Sequence, residues 1–191
     1  MEKIVRCLFL SRKFRLRIYL WPILVCAALL LWGCQAKEAP LSPAAASFKK
    51  EIKSCLDTLA APLLEPVANK NVAKITATLD KVEPQTLKLC RMCPFQIGIL
   101  NSSGETLAVH PPSRETRNFS SYNLVIKATN SKKIQQQRLF LQDGTQLYLI
   151  CAPLIRQDTV IGLMAIAISA DEAEKRWGLT EKEFLALNFN T

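Results

Sequence analysis

Catalytic equipment is what this chain has least of. A single histidine, His110, occurs in 191 residues, and no glycine-rich phosphate loop, HExxH or GxSxG pattern is present. His110 precedes Pro111-Pro112 and reads as a turn residue rather than a general base. The expectation is a protein that is not an enzyme and carries no cofactor. Long apolar runs are scarce too. The longest, residues 18–32, holds 15 residues, short of the about 20 that span a bilayer. Internal repeats and low-complexity segments are absent. So is a second CxxC that could complete a zinc site with Cys90-Arg91-Met92-Cys93.

What is present begins with charge. Residues 1–17 hold Lys3, Arg6, Arg12, Lys13, Arg15 and Arg17 against Glu2 alone, and the apolar run that follows ends at Gly33-Cys34. A basic segment, an apolar segment and a small residue before the cut describe an export signal over residues 1–33. Leu31-Trp32-Gly33-Cys34 resembles the lipobox of bacterial lipoproteins, which would make Cys34 the acylated N-terminus of the mature chain. The alternative is an uncleaved N-terminal anchor. On either reading the remainder lies outside the cytoplasm, because the basic flank stays inside. The choice between inner and outer membrane stays open.

The chain carries 25 basic and 16 acidic residues, and 19 and 15 of them lie beyond residue 33. A mild positive balance on the mature chain gives no reason to expect nucleic acid as a partner. The remaining 158 residues suffice for one domain with its own core. Residues 34–47, with two prolines and several small residues, read as a tether.

From Phe48 the spacing turns helical. Phe48, Ile52, Cys55, Leu56, Leu59 and Leu63 fall on one stripe, with Ser47 as the expected N-cap and Pro62 and Pro66 as the bend or stop. A second helix is expected over residues 72–82, striped by Val72, Ile75, Leu79 and Val82 and ended by Glu83-Pro84. Residues 95–100 and 105–109 then read as two strands joined by Asn101-Ser102-Ser103-Gly104.

Residues 138–169 read as a three-stranded antiparallel meander with turns at Asp143-Gly144 and Arg156-Gln157-Asp158. Its middle strand sets Leu147, Leu149 and Cys151 against Tyr148, Ile150 and Ala152. Its last strand sets Val160, Met164, Ile166 and Ile168 against Ile161, Leu163 and Ala165. Two apolar faces require two covers. The long polar connection, residues 110–137, is expected to supply one short helix near residues 123–127 or 131–135. Ser169 with Glu172 and Thr180 with Glu183 form capping boxes for two short helices within residues 171–191, the first ended by Gly178. No second membrane segment or output module is read after them. The expected class is α+β, a five-stranded antiparallel sheet with a long N-terminal helix on one face and a helix and loop on the other.

A long helix, then FQIGILNSSGETLAV, a variable loop and GTQLYLICAPLIRQDTVIGLMAIAIS, together resemble a single Cache domain, the extracytoplasmic relative of PAS domains, over residues 48–170. The resemblance implies a membrane-anchored periplasmic sensor that binds a small ligand. Since members usually continue into a signalling module, it implies here a co-receptor working through a membrane signalling protein. The implied pocket lies between the sheet and residues 110–137. Tyr122, Arg138 and Tyr148, with Arg117 next, are the candidate ligand residues, and a bidentate arginine suits a carboxylate such as a small organic or amino acid. Two other readings stay open: a structural or assembly lipoprotein with no ligand, and a thiol-redox or metal-binding protein using Cys90 and Cys93.

The cysteines speak mostly against chemistry. Pro94 stands where a c-type haem motif needs histidine, and a CxxC between a helix and a following strand is the wrong order for a thioredoxin-like site. No metal is expected. Cys55, Cys90, Cys93 and Cys151 are left as disulfide candidates, with three pairings open.

Overall fold

Ser42 caps the first helix of the described residues. Its hydroxyl accepts the Ala45 N–H at 3.1 Å and Pro43 opens the first turn, so helix α1 runs over Pro43–Ala68. The computed structural model describes residues 40–89, 96–112 and 118–191, with the backbone alone for 82–89. The helix therefore starts before Phe48, residues 43–47 belong to it rather than to a tether, and Ser47 is not its cap. Pro62 and Pro66 lie inside it. Each removes a backbone bond, yet Leu59, Leu63 and Val67 keep the stripe fully buried through both, and packing outweighs the loss. Helix α2 covers Val72–Leu89, with Asn71 Oδ1 accepting the Lys74 N–H at 3.1 Å. Its backbone continues past Pro84, beyond the expected end.

Five strands follow: β1 Gln96–Asn101, β2 Thr106–His110, β3 Gln135–Phe140, β4 Gln146–Arg156 and β5 Thr159–Ser169. They form one antiparallel sheet in the order β2-β1-β5-β4-β3. The turn residues behave as their types require. Gly104 and Gly144 take φ of +83° and +84°, and Gln157 and Asp158 both adopt positive φ in the two-residue β4–β5 turn. Helix α3, Asn123–Ser131, precedes β3 and is the single helix expected in the long connection.

Alternation sends Ile97, Ile99, Tyr148, Ile150, Met164, Ile166 and Ile168 to the α1 side and Leu100, Cys151 and Leu163 to the α3 side. One expectation fails within β5. Leu154 pairs with Gly162 and Ile155 with Val160, so Ile161 is an extra residue, a bulge. The bulge reverses the parity below it. Ile161 packs with Met164 on the α1 side, and Val160 goes to the α3 side.

Helices α4, Ala170–Trp177, and α5, Glu181–Ala186, close the chain. Ser169 occupies the N-cap position of α4, but its side chain makes no capping bond. The Thr180–Glu183 box is fully formed, and Gly178 ends α4 in the left-handed region. These helices are not an appendix to a domain ending at residue 170. Leu179, Phe184, Leu187 and Phe189 are buried in the same core as Phe48, whose ring meets Trp177, Phe184 and Phe189 edge-on at 5.1, 6.2 and 6.5 Å. Leu41–Thr191 forms one compact unit. Among the described residues no helix is long and apolar enough to cross a membrane.

Candidate ligand-binding face

The two faces of the sheet are finished differently. On the α1 side the branched residues of β1, β4 and β5 are buried almost completely under α1 and the C-terminal segment. On the other side α3 seats Leu124, Val125 and Ala128 on Leu100, Cys151 and Leu163, with Phe119, Leu149 and Val160 around them. Among the described residues that cover reaches only part of the face.

The register shows what lies beside it. One row crosses the sheet as Gln96, Ala167, Leu149 and Gln137, and the next as Val109, Gly98, Ala165, Cys151 and Gln135. Gly98, Ala165, Ala167 and Leu149 are only half-buried, and Gln96 and Gln137 are exposed. A Cβ added at Gly98 would stand 4.0 Å from the Ala165 Cβ, so these small side chains form a low floor. Glycine and alanine there allow a ligand to approach the sheet closely, and the two glutamines flank it roughly 14 Å apart, three strand spacings.

The segment leading into α3 is held by the β1–β2 turn. The Phe119 N–H donates to Gly104 O at 2.8 Å, Glu105 bridges to Asn118, and a Cβ at Gly104 would come within 2.7 Å of Ser120 Cα. Buried Asn101 stabilises the turn. Its Oδ1 accepts the Ser103 and Glu105 N–H groups at 2.9 and 3.0 Å, and its Nδ2 donates to Glu105 Oε2 at 2.6 Å. Phe119 and Tyr122 then meet edge-to-face at 5.1 Å. The floor offers van der Waals contact between two side-chain amides, which is chemistry suited to binding.

No family model matches this chain, and neither does any curated protein. Solved structures do. The extracellular domain of a protein described as a histidine kinase, vpHK1S-Z8, matches with a TM-score of 0.57 at 15% identity, over 73% of this chain and 57% of its own. A domain of a sensory box/GGDEF family protein from Vibrio parahaemolyticus matches with a TM-score of 0.55 at 14% identity, over 73% and 60%. The chain has the fold of an extracellular sensor domain. The expected Cache and PAS-like architecture is present, and the chain spans about three-fifths of the length of the sensor domains it matches.

Within this fold the residues singled out from the sequence do not converge. Tyr122 stands at the N-cap of α3, 40% exposed. Arg138 and Tyr148 pair across β3 and β4 and share parity with Ile150, so both face the α1 side, away from α3. Tyr148 is buried and its ring stacks on Phe184 at 4.1 Å; burial, with Glu174 nearby, raises its pKa. Arg138 pairs with Glu181 and lies 4.7 Å over the Phe140 ring. Neither belongs to the α3 face. Arg117, Cys34, Cys90 and Cys93 lie outside the described residues.

Cys55 and Cys151 are free and buried on opposite faces of the sheet, so they are not bonded to each other. Burial pushes their pKa values up to about 11 and about 12, leaving inert thiols at neutral pH. Among the described residues no group of His, Cys, Asp and Glu could hold a metal ion. The residues that sequence reasoning missed are Gly98, Ala165, Ala167, Gln96 and Gln137. The available signal was an isolated glycine within a strand, which marks a bulge or a close approach.

Proposed function

We propose that this chain is an extracytoplasmic sensor module that binds a small molecule on the α3 face, is held to the membrane by its N-terminal segment, and acts through a membrane signalling partner rather than by catalysis. The observation that carries this reading is the unequal finish of the two faces, one packed solid and the other left with a low floor of Gly98, Ala165 and Ala167 between Gln96 and Gln137. The sensor fold supports the role, and acylation at Cys34 is the proposed anchor. A carboxylate ligand would need a cation on this face. Arg138 is engaged by Glu181 on the other, so Arg117 is the residue to test for that chemistry.

Thermal-shift measurements on Leu41–Thr191 against neutral and acidic metabolites test the proposal. A ligand at 100 times its Kd adds about 2.7 kcal/mol, which raises Tm by roughly 5–10 °C for a domain of this size. Gly98→Val and Ala165→Leu should remove that shift without unfolding the protein. If no compound shifts Tm, or if both variants respond as wild type does, the site reading fails. The structural-lipoprotein reading would then be the better account, and the filling of the covered half by Leu100, Leu124 and Leu163 favours it.

A further inference from the structure

The C-terminal segment touches two distant places by polar contacts that the core packing does not require. At the sheet edge, the Asn190 side chain pairs with both backbone groups of one residue. The Ile134 N–H donates to Asn190 Oδ1 at 2.8 Å, and Asn190 Nδ2 donates to Ile134 O at 3.0 Å. Gln136 Nε2 donates to Leu187 O, and Arg138 and Gln146 both reach Glu181. At the start of α1, Lys49 donates to Thr191 Oγ1 at 2.7 Å and Lys53 donates to Thr191 O at 2.9 Å. Phe184 and Phe189 lie buried between the two ends, against Phe48.

We infer that residues 179–191 are a strap that couples the position of edge strand β3 to the first turns of α1. The two ends differ in what they adjoin. β3 directly follows α3, the cover of the candidate ligand face, while α1 is the first helix after the N-terminal segment. A shift of α3 and β3 therefore reaches α1 along one surface path, without rearrangement of the branched core between the sheet and α1. Asn190 is the positioning residue at the strand end, because one side chain satisfies both a donor and an acceptor of Ile134 and so registers the strap against the edge. Lys49 and Lys53 register the other end. The use of this coupling in sensing rests on the function proposed above, but the coupling itself does not, and its test needs no ligand.

Hydrogen exchange on the full chain in a membrane mimetic reads both ends at once. Asn190→Ala removes both hydrogen bonds to Ile134 and leaves α1 untouched. Exchange should accelerate at least about threefold, the scale of one lost hydrogen bond, at Ile134 and also at the amides of residues 47–53. Lys49→Met with Lys53→Met leaves the sheet edge untouched, and reciprocity of coupling requires faster exchange at Ile134. Amides of β1 and β2 should keep wild-type rates in both variants. If either variant changes exchange only at its own end, the strap is two independent contacts and the inference is overturned. A uniform acceleration that includes β1 and β2 overturns it as well, because the segment then contributes only to global stability. Loss of ligand response with coupling intact would instead fall on the proposed function.

Discussion

Gly162 separates a steric requirement from a conformational one. It sits in β5 between Asn101 of β1 and Leu154 of β4, and its backbone is not in the left-handed region. Alanine is therefore acceptable at that φ, and only space opposes it. A Cβ there would stand 2.5 Å from Val67 Cγ1 and 2.6 Å from Leu100 O. The valine could turn aside, but the carbonyl belongs to the neighbouring strand and moves only if β1 moves. Overpacking of this kind costs about 2–3 kcal/mol. Two other glycines act as controls. At Gly98 the nearest atom is 4.0 Å away, so Gly98→Ala should change stability by less than about 0.5 kcal/mol. At Gly144 nothing lies within 4 Å but φ is +84°, so Gly144→Ala should cost about 1 kcal/mol through backbone strain alone. Urea unfolding of Leu41–Thr191 measures all three at constant slope. If Gly162→Ala is no worse than Gly98→Ala, then β1, β5 and α1 do not meet as closely as described, and the account of the central sheet is wrong.

Three further outcomes are expected. Arg138→Glu sets two carboxylates together beside α5 and, at a site this exposed, should cost no more than about 1 kcal/mol; adding Glu181→Arg should restore the midpoint, and any ligand-induced Tm shift should survive, since Arg138 faces away from α3. Cys55 and Cys151 hold their protons in the fold up to about pH 11 and 12 against an ordinary value of 9.0, so their contribution to stability is full below pH 9 and is lost as pH climbs through 11 and 12; unfolding midpoints from pH 7 to 11 should fall above 9, and a flat profile there would show that the thiols are not buried as described. Cys34→Ser should leave an unprocessed precursor that takes up no labelled fatty acid, and a wild-type chain that also takes up none would make the N-terminal segment an uncleaved anchor.

Local chemistry was legible in the residues themselves. The Thr180–Glu183 box, the Gly178 stop, the positive-φ turns and the partition of β4 into Leu147, Leu149 and Cys151 against Tyr148, Ile150 and Ala152 all depend on neighbours a few positions away. Periodicity alone therefore specified an α+β chain with a sheet covered on both faces. Tertiary contact decided the rest. The insertion of β1 beside β5 joins segments more than 60 residues apart, and no local pattern encodes that pairing. The bulge at Ile161 exists because β4 and β5 must fit each other, and one extra residue sent Val160 to the opposite face. Pro62 and Pro66 are helix breakers by propensity, and α1 overrides them because its stripe stays buried on the sheet. Ser42 rather than Ser47 caps that helix, since the core reaches Ala45. Arg138 and Tyr148 looked like ligand residues because charge and aromaticity on a strand are ambiguous until parity is known. Parity came from Ile150 beneath α1, and it turned both side chains toward Glu181 and Phe184, whose place beside β3 and β4 only the folded chain establishes.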